Sequence, residues 1–301
     1  MEFKIGKRTI GDRRPVFIIA ELGYNFNTIE EGLRAVDEAA AAGVDAIKLQ
    51  TFRADTLVTR DVDFPPEAGG GNQQAEFRRY EISEETHRRI FKRARDRGLI
   101  PFSTPSYISD VDMLERLHVD VYKIGSDDLT NLPHLAYVAG KGKPVIISSG
   151  MGALPEVDEA VRTLLKAGNR RIVLLQCTSN YPIKNPAWVN IRVIESFKKT
   201  FPCLVGFSDH TRGIHAAVAA VALGATVIEK HFTPDKNNGA PDSFFSADPP
   251  EMAALVRAVR ETERMLGDGI KKPTRSEVDM RRWTRKSLVA RRNIPKGAKL
   301  K

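Results

Sequence analysis

Short runs of β-branched and other apolar residues recur along the chain, and each is followed by a polar turn and a segment with apolar residues at helical spacing. The helical segments have recognisable ends: Thr28 and Glu31 have capping-box spacing, Gly43 ends that helix, and a last helix is predicted over Pro250–Leu266. The apolar runs predict eight strands: Val16–Glu21, Ala46–Gln50, Ile100–Ser103, Val121–Ile124, Val145–Ser149, Ile172–Cys177, Leu204–Ser208 and Val227–Phe232.

The strands are almost entirely apolar, which is typical of a parallel sheet covered by helices on both faces. Eight strand–helix units are the number that closes a barrel, whereas a doubly wound open sheet generally has fewer strands and a glycine-rich dinucleotide turn. We therefore predict an α/β fold, a (β/α)8 TIM barrel over residues 1–269. One long excursion, Arg53–Ile82, is predicted to be a flexible loop and a candidate lid.

Composition favours a soluble globular protein. The 301 residues are 42% apolar, which is enough to bury a large core and excludes a disordered chain or a disulfide scaffold. Two cysteines, Cys177 and Cys203, fit a reducing compartment and are predicted to be core residues. No apolar stretch approaches the ~20 residues of a membrane span, and the N-terminus lacks the apolar segment of a secretion signal. We therefore expect a cytoplasmic protein with no membrane partner.

The net charge of +9 is concentrated in the last 32 residues, which hold 12 Lys and Arg against Glu277 and Asp279. The rest of the chain is close to neutral, and no nucleic-acid-binding motif is present, so we expect no nucleic-acid partner. Residues 270–286 are predicted to be a basic linker. The segment Ser287–Leu300 has the pattern of a first strand and turn of another small domain.

All eight predicted strands end in side chains that ionise or form hydrogen bonds, and barrel enzymes carry out their chemistry at this end of the strands. A charged residue that directly follows apolar strand residues is costly to bury without a partner. Five such residues predict a shared active site: Glu21, Lys48, Lys123, Glu229 and His231.

Two kinds of ligand fit these residue types. His210 and His231 end neighbouring strands, and two imidazoles there would share a divalent ion with positions left for substrate oxygens. The alternative, two histidines bonded to backbone carbonyls, stays open at this point. A ring of cations and hydroxyls would suit a small phosphorylated anion, although any one serine is equally explained by a tight turn. This ring comprises Lys48, Lys123, Ser126, Ser149, Ser179 and Ser208. The remaining histidines, His87, His118, His134 and His215, are predicted to be surface or packing residues.

At these strand ends the sequence resembles the sialic acid synthase family, enzymes that condense phosphoenolpyruvate with an aldose. The resemblance runs in order over nearly all of residues 16–250. Its motifs include KLQTF at 48–52, FSTPSY at 102–107, YKIGSDDL at 122–129, ISSGM at 147–151, CTSNYP at 177–182, GFSDHT at 206–211 and EKHFT at 229–233.

The resemblance implies a metal-dependent synthase that joins phosphoenolpyruvate to an N-acylated hexose such as N-acetylmannosamine, giving a sialic-acid-type nonulosonate and phosphate. By position, His210 and His231 would hold Mn²⁺ or Mg²⁺, and Glu21 and Glu229 would be catalytic. The lysines and serines of the ring would contact phosphoenolpyruvate. Gln50, Tyr181 and Asp242 would hold the acceptor sugar. It also implies a homodimer, and it identifies residues 287–301 as the incomplete start of an antifreeze-like domain.

Two departures from the family pattern keep other hypotheses open. The loop Tyr24–Asn27 replaces the family's usual Asn-His pair and glycine, which motivates a synthase that uses a different aldose or aldehyde acceptor. The missing remainder of the C-terminal domain motivates a third hypothesis, a non-catalytic barrel that binds a partner through its basic tail.

Overall fold

A computed structural model describes residues 1–66 and 69–299, and in it eight parallel strands close into a barrel in chain order. The predicted TIM barrel is confirmed, and each predicted strand is present with its ends shifted by at most two residues. The barrel strands are β3 (Phe17–Glu21), β4 (Ala46–Thr51), β5 (Ile100–Pro105), β6 (Tyr122–Ile124), β7 (Val145–Ser148), β8 (Ile172–Cys177), β9 (Leu204–Asp209) and β10 (Val227–His231).

An antiparallel hairpin that the sequence analysis did not predict precedes the barrel: β1 (Glu2–Ile5) and β2 (Arg8–Gly11). Its Ile5 and Ile10 are buried. The turn residue Gly6 lies against Asp120 and Ile100, which adjoin the amino-terminal ends of two barrel strands. The hairpin therefore packs at the end of the barrel opposite to the predicted active site.

The outer helices begin and end at ordinary capping signals. In the first of them, the Thr28 side chain accepts a hydrogen bond from the Glu31 amide, and Gly43 ends the helix with a φ of 87°. The helices of the barrel are α1 (Ile29–Ala42), α4 (Glu84–Asp96), α5 (Ile108–Arg116), α6 (Leu132–Gly140), α7 (Leu154–Lys166), α8 (Val193–Thr200), α9 (His215–Ala222) and α10 (Pro249–Leu266).

The excursion Arg53–Ile82 is more ordered than the predicted loop, since it contains α2 (Ala54–Leu57) and α3 (Gln73–Arg79). Residues 67 and 68 of this segment lie outside the described residues. Glu81 joins its two ends: Oε1 accepts from the Ala54 amide at 2.7 Å and Oε2 accepts from Arg53 at 3.1 Å. Its Phe77 ring packs against Phe64 of the same segment and against Phe52, which directly precedes the segment.

Residues 266–301 form a separate compact unit, of which residues up to 299 are described. Its helix α11 (Glu277–Thr284) lies within the segment predicted to be a linker. The strand predicted in Ser287–Leu300 is absent from residues 287–299, and residues 300 and 301 lie outside the described range. The antifreeze-like domain therefore stays a prediction. Within the described residues, no helix has the length and apolar character needed to cross a bilayer.

Candidate active site

A cavity of about 720 Å³ lies at the carboxyl ends of the barrel strands. Of the predicted site residues, all except Ser149 line it, although they come from every part of the barrel sequence. A separate groove of about 930 Å³, lined by residues such as Ile183 and Phe244, contains none of them. The fold thus brings the polar residues at the strand ends together around one cavity, as predicted.

Two lysines and two glutamates form the floor of this cavity, and all four are at most 5% exposed. Lys48 forms an ion pair with Glu21, and its Nζ is 4.0 Å from Oε2 of Glu229. The Nζ of Lys123 is 3.9 Å from the other oxygen of Glu229 and donates to the Ile124 carbonyl at 2.9 Å. Glu229 therefore lies between the two ammonium groups.

Burial and neighbouring charges act in opposite directions on these groups. Burial disfavours the ammonium form of Lys48, but Glu21 and Glu229 outweigh it and raise the pKa of this lysine. For Lys123 burial prevails and lowers the pKa. Burial opposes the charged form of Glu229, yet Lys123 and Lys48 together lower its pKa. The pKa of Glu21 is raised, chiefly by burial and further by Glu229. Such perturbed groups in a cavity are typical of a functional site.

Several buried polar atoms of the cavity have no hydrogen-bond partner among the described residues: Ser148 Oγ, Ser179 Oγ, Glu229 Oε2 and His231 Nδ1. A buried polar atom left unpaired costs about 1–3 kcal/mol. Four such atoms around one cavity are therefore available to bond to water or to a polar ligand.

Three of the four predicted serines, Ser126, Ser179 and Ser208, line the cavity. Ser126 accepts from the Gly150 amide at 3.0 Å, and a Cβ at position 150 would collide with the hydroxyls of both Ser126 and Ser179. Glycine at this position therefore lets the two hydroxyls approach the same space. Ser208 donates to Glu229 at 3.0 Å.

Ser149 differs from the expectation: its hydroxyl donates to the Leu175 carbonyl at 2.9 Å and does not face the cavity. The preceding residue, Ser148, lines the cavity instead. Successive residues of a strand point to opposite sides, so the cavity face belongs to only one of these two serines.

The two predicted metal ligands lie side by side, with their ring centroids 5.2 Å apart. Nδ1 of His210 is 2.8 Å from the Thr178 carbonyl, so this nitrogen carries a proton and Nε2 is the nitrogen left to bind a metal. Burial lowers the pKa of His231 well below its usual value, which keeps this imidazole in the neutral form that binds metals. The alternative expectation was that both histidines bond to backbone carbonyls. It holds for Nδ1 of His210, whereas Nδ1 of His231 has no hydrogen-bond partner among the described residues.

These two histidines fit a divalent ion that takes only part of its coordination from the protein. Across residues 1–66 and 69–299, no cluster of three or more His, Cys, Asp or Glu side chains has a metal-binding arrangement. Asp242 is the acidic group near His231, at 3.5 Å from Nδ1. Two imidazoles would leave coordination positions for substrate oxygens and water.

The predicted acceptor residues line the same cavity. Gln50 donates to Oε1 of Glu21 at 3.1 Å. The Tyr181 ring lies 4.3 Å from the His210 ring, and burial raises the pKa of Asp242 to about 6. Among the loop residues that depart from the family pattern, Tyr24 lines the cavity, whereas Asn25 is buried and donates to the Phe232 carbonyl at 2.9 Å.

Sequence reasoning missed several residues of the cavity wall. The excursion contributes an apolar surface of Leu57, Val58, Phe64 and Phe77, together with Gln73. No residue pattern marks these positions, because a loop carries no strand end to locate them. Thr104, Asp127, Met151 and Cys177 also line the cavity.

Cys177 is buried, as expected of a core residue, and it also lines the cavity. Ser126 donates to its sulfur at 3.6 Å, and that sulfur lies 3.9 Å from Nδ1 of His210. Burial opposes the thiolate, but the contacts with His210 and Ser126 outweigh it and lower the pKa of the thiol. Cys203 is half-buried, and burial raises its pKa to about 12.

A TIM barrel that gathers lysines, hydroxyls, paired carboxylates and two imidazoles at the carboxyl ends of its strands has the architecture of a barrel enzyme. Residues 35–271 match the model of the NeuB family, and the chain belongs to that family. It is 39% identical to the N,N'-diacetyllegionaminic acid synthase of Campylobacter jejuni, over 94% of this chain and 87% of that protein. It is 37% identical to the human N-acetylneuraminate-9-phosphate synthase, over 96% and 82%.

A solved structure agrees with this assignment. The N-acetylneuraminic acid synthetase of Leptospira borgpetersenii, in complex with citrate, superposes with a TM-score of 0.85 and 32% identity. The match covers 94% of this chain and 96% of that chain. Fold and relatives therefore identify an enzyme of the nonulosonic acid synthase type, as the resemblance implied.

Proposed function

We propose that the protein condenses phosphoenolpyruvate with an N-acylated hexose to give a sialic-acid-type nonulosonate and inorganic phosphate. In this reaction C3 of phosphoenolpyruvate bonds to the aldehyde carbon of the open-chain sugar. Water then adds to C2, and the bond between C2 and the phosphate oxygen breaks. The observation that carries the proposal is the group of unpaired buried hydroxyls beside Lys48 and Lys123, next to two adjacent histidines.

Phosphoenolpyruvate carries a phosphate and a carboxylate, and both require cations and hydrogen-bond donors. Lys48 and Lys123 provide the cations, while Ser126, Ser179 and Ser208 provide hydroxyls. We assign Ser148 to the role that the resemblance gave to Ser149, because Ser148 has a buried hydroxyl with no partner among the described residues. Ser149 would then fix the β7–β8 ladder through the Leu175 carbonyl.

The two glutamates have different environments and would take different roles. Burial raises the pKa of Glu21, and Gln50 holds one of its oxygens. We assign to Glu21 the orientation of the water that adds to C2, since a raised pKa suits a proton acceptor at neutral pH. Glu229, whose pKa is lowered, would keep Lys48 and Lys123 charged and in place.

His210 and His231 would hold the divalent ion, Mn²⁺ or Mg²⁺. Such an ion polarises the aldehyde oxygen of the acceptor when it is bound. The protein contributes the tautomer of His210, which the Thr178 carbonyl fixes, and the neutral imidazole of His231.

The acceptor would lie between Gln50, Tyr181 and Asp242 on one side and the apolar excursion wall on the other. An N-acyl group presents a methyl to this wall and an amide to the polar side. In the described part of the chain, Lys48 and Lys123 are the lysines that line the cavity, and no arginine does. Since both face the phosphoenolpyruvate end, we propose an acceptor without a phosphate group.

A different acylated aldose is the second candidate acceptor, and the presence of Tyr24 in the cavity wall favours it. The names of the relatives give different products, so the barrel alone does not select one acceptor. A panel would compare N-acetylmannosamine, its 6-phosphate and a hexose bearing two N-acetyl groups. We expect the unphosphorylated sugars to be used, and faster turnover of the 6-phosphate would contradict the acceptor assignment.

The reaction itself is tested by phosphate release. We expect release that requires both substrates, stops on addition of a chelator and returns with Mn²⁺. His231→Ala should abolish it, whereas His215→Ala, which alters an exposed histidine outside the cavity, should not. Full phosphate release by His231→Ala, or release from phosphoenolpyruvate alone, would contradict the proposal.

A further inference from the structure

Directly behind the two histidines lies a buried ion pair that the proposed chemistry does not use. Asp209 is the last residue of β9, Lys230 lies in β10, and the two are directly opposite each other in the strand register. Their side chains are 0% and 3% exposed. Because strand residues alternate, both point away from the barrel axis, and they lie outside the cavity lining formed by the described residues.

The pair fixes the backbone around His210. Nζ of Lys230 donates to Oδ2 of Asp209 at 2.9 Å and to the Thr211 carbonyl at 2.7 Å. Oδ1 of Asp209 accepts from the amide and from the hydroxyl of Thr211, at 2.8 and 2.7 Å. Lys230, which directly precedes His231, therefore bonds to both neighbours of His210, Asp209 and Thr211.

A buried ion pair gives less stability than well-packed apolar residues of similar volume, so its presence is not explained by stability alone. The same outward-facing layer supplies the comparison. Two residues earlier on the same strands, the paired residues are Phe207 and Ile228, both fully buried. An apolar pair therefore packs on the outward-facing side of β9 and β10. The charged pair lies at the strand ends, where each of its residues directly precedes one of the two histidines.

We propose that the Asp209–Lys230 pair is a positioning device that holds His210 and His231 at the spacing a shared divalent ion requires. The inference rests on the proposed function, because that function places the ion on these histidines. Asp209 and Lys230 touch neither substrate nor ion and act through the backbone of the strand ends. Partners that hydrogen-bond metal ligands directly typically contribute 10–100-fold to metal affinity, and we expect an effect in that range from this pair, which acts through the backbone.

The test separates positioning from stability. The double variant D209L/K230M removes both charges and also the three hydrogen bonds to Thr211, so its melting temperature should fall to an extent comparable with that of a control that breaks an ion pair elsewhere in the barrel. Its Mn²⁺ affinity, measured by calorimetry, should fall 10–100-fold, and the electron paramagnetic resonance spectrum of bound Mn²⁺ should change. The matched control is R260M, which breaks the Arg260–Asp45 pair at the opposite end of the barrel. It should lower the melting temperature and leave Mn²⁺ affinity unchanged.

Wild-type Mn²⁺ affinity in a folded double variant would refute the positioning role and leave the proposed function intact. A wild-type chain that binds no Mn²⁺ would refute the metal site, and this inference with it. Should the double variant fail to fold, D209N decides, since Asn keeps the acceptor toward Thr211 and removes the charge. We expect a several-fold loss of Mn²⁺ affinity for D209N, and unchanged affinity would overturn the proposal.

Discussion

His87 provides a pH-dependent test of the packing around the active-site strands. It lies on α4 and is fully buried. Nδ1 is 2.9 Å from the Ser83 carbonyl and therefore carries the proton, so Nε2 accepts from the Thr51 hydroxyl at 2.8 Å. Thr51 in turn lies 2.6 Å from the hydroxyl of Ser103, which joins β4 to β5. Burial lowers the pKa of His87 to about 4.

The magnitude follows from linkage. The unfolded chain binds this proton below a pKa of about 6.5, whereas the folded chain binds it only below about 4. Between pH 6.5 and pH 4 the folded state thus binds fewer protons than the unfolded state. The contribution of His87 to the free energy of unfolding is therefore complete above pH 6.5 and is lost as the pH falls toward 4. At about 1.4 kcal/mol per pKa unit, roughly 3 kcal/mol of unfolding free energy is lost, of which about 2.5 kcal/mol is gone by pH 4.5.

The assay is urea unfolding of the wild type and of His87→Gln between pH 7.5 and 4.5. The variant lacks the titrating group. The difference in unfolding free energy, wild type minus variant, should therefore decrease by about 2.5 kcal/mol between pH 7.5 and pH 4.5. The control His215→Gln makes the same substitution at an exposed histidine that lies outside this hydrogen-bond network. If the difference between wild type and His87→Gln stays constant with pH, the assignment of a neutral buried imidazole is refuted.

Three substitutions in the cavity test the assigned roles by steady-state kinetics. Ser148→Ala should raise the KM for phosphoenolpyruvate by about 10- to 150-fold, since a hydrogen bond to a charged group contributes about 1.5–3 kcal/mol. Ser149→Ala should mainly lower the melting temperature. Equal effects of the two changes would contradict the assignment of the serines. Phe77→Ala should raise the KM for the acceptor several-fold and leave that for phosphoenolpyruvate unchanged, and the reverse result would place the acceptor elsewhere. Glu229→Gln should weaken phosphoenolpyruvate binding at neutral pH, and tighter binding would contradict the role given to Glu229.

The strands were predictable because their apolar runs are long, separated by clear helix signals, and followed by polar residues that have no reason to be buried except at a site. Which of two adjacent polar residues faces the cavity was not predictable. Both faces of a barrel strand are covered, so every residue of Val145–Ser148 is buried and no alternation marks the inner face. For the same reason the sequence does not show that Lys230 points away from the barrel axis, since every residue of Val227–His231 is buried.

The short helices inside the excursion and the N-terminal hairpin were missed for a different reason. A helix of four residues such as α2 has no periodicity that identifies it, and its stability comes from tertiary contacts. The ends of the excursion are held by Glu81, and its interior by rings such as Phe52 and Phe77. These contacts join residues far apart in the sequence, so the apolar wall of the cavity becomes visible only once the chain is folded.

The position of Glu229 shows how a carboxylate assists anion binding. A negative charge beside Lys48 and Lys123 repels a phosphate or carboxylate, and on charge alone its removal should tighten binding. Burial, however, already lowers the pKa of Lys123, and Glu229 is the main group that opposes this effect. Without it the ammonium would lose its strongest counterion, and a neutral amine attracts an anion weakly and donates a poorer hydrogen bond. We expect the loss of a charged lysine to outweigh the relief of repulsion from Glu229, whose carboxylate accepts a hydrogen bond from Ser208, so removing Glu229 should weaken binding.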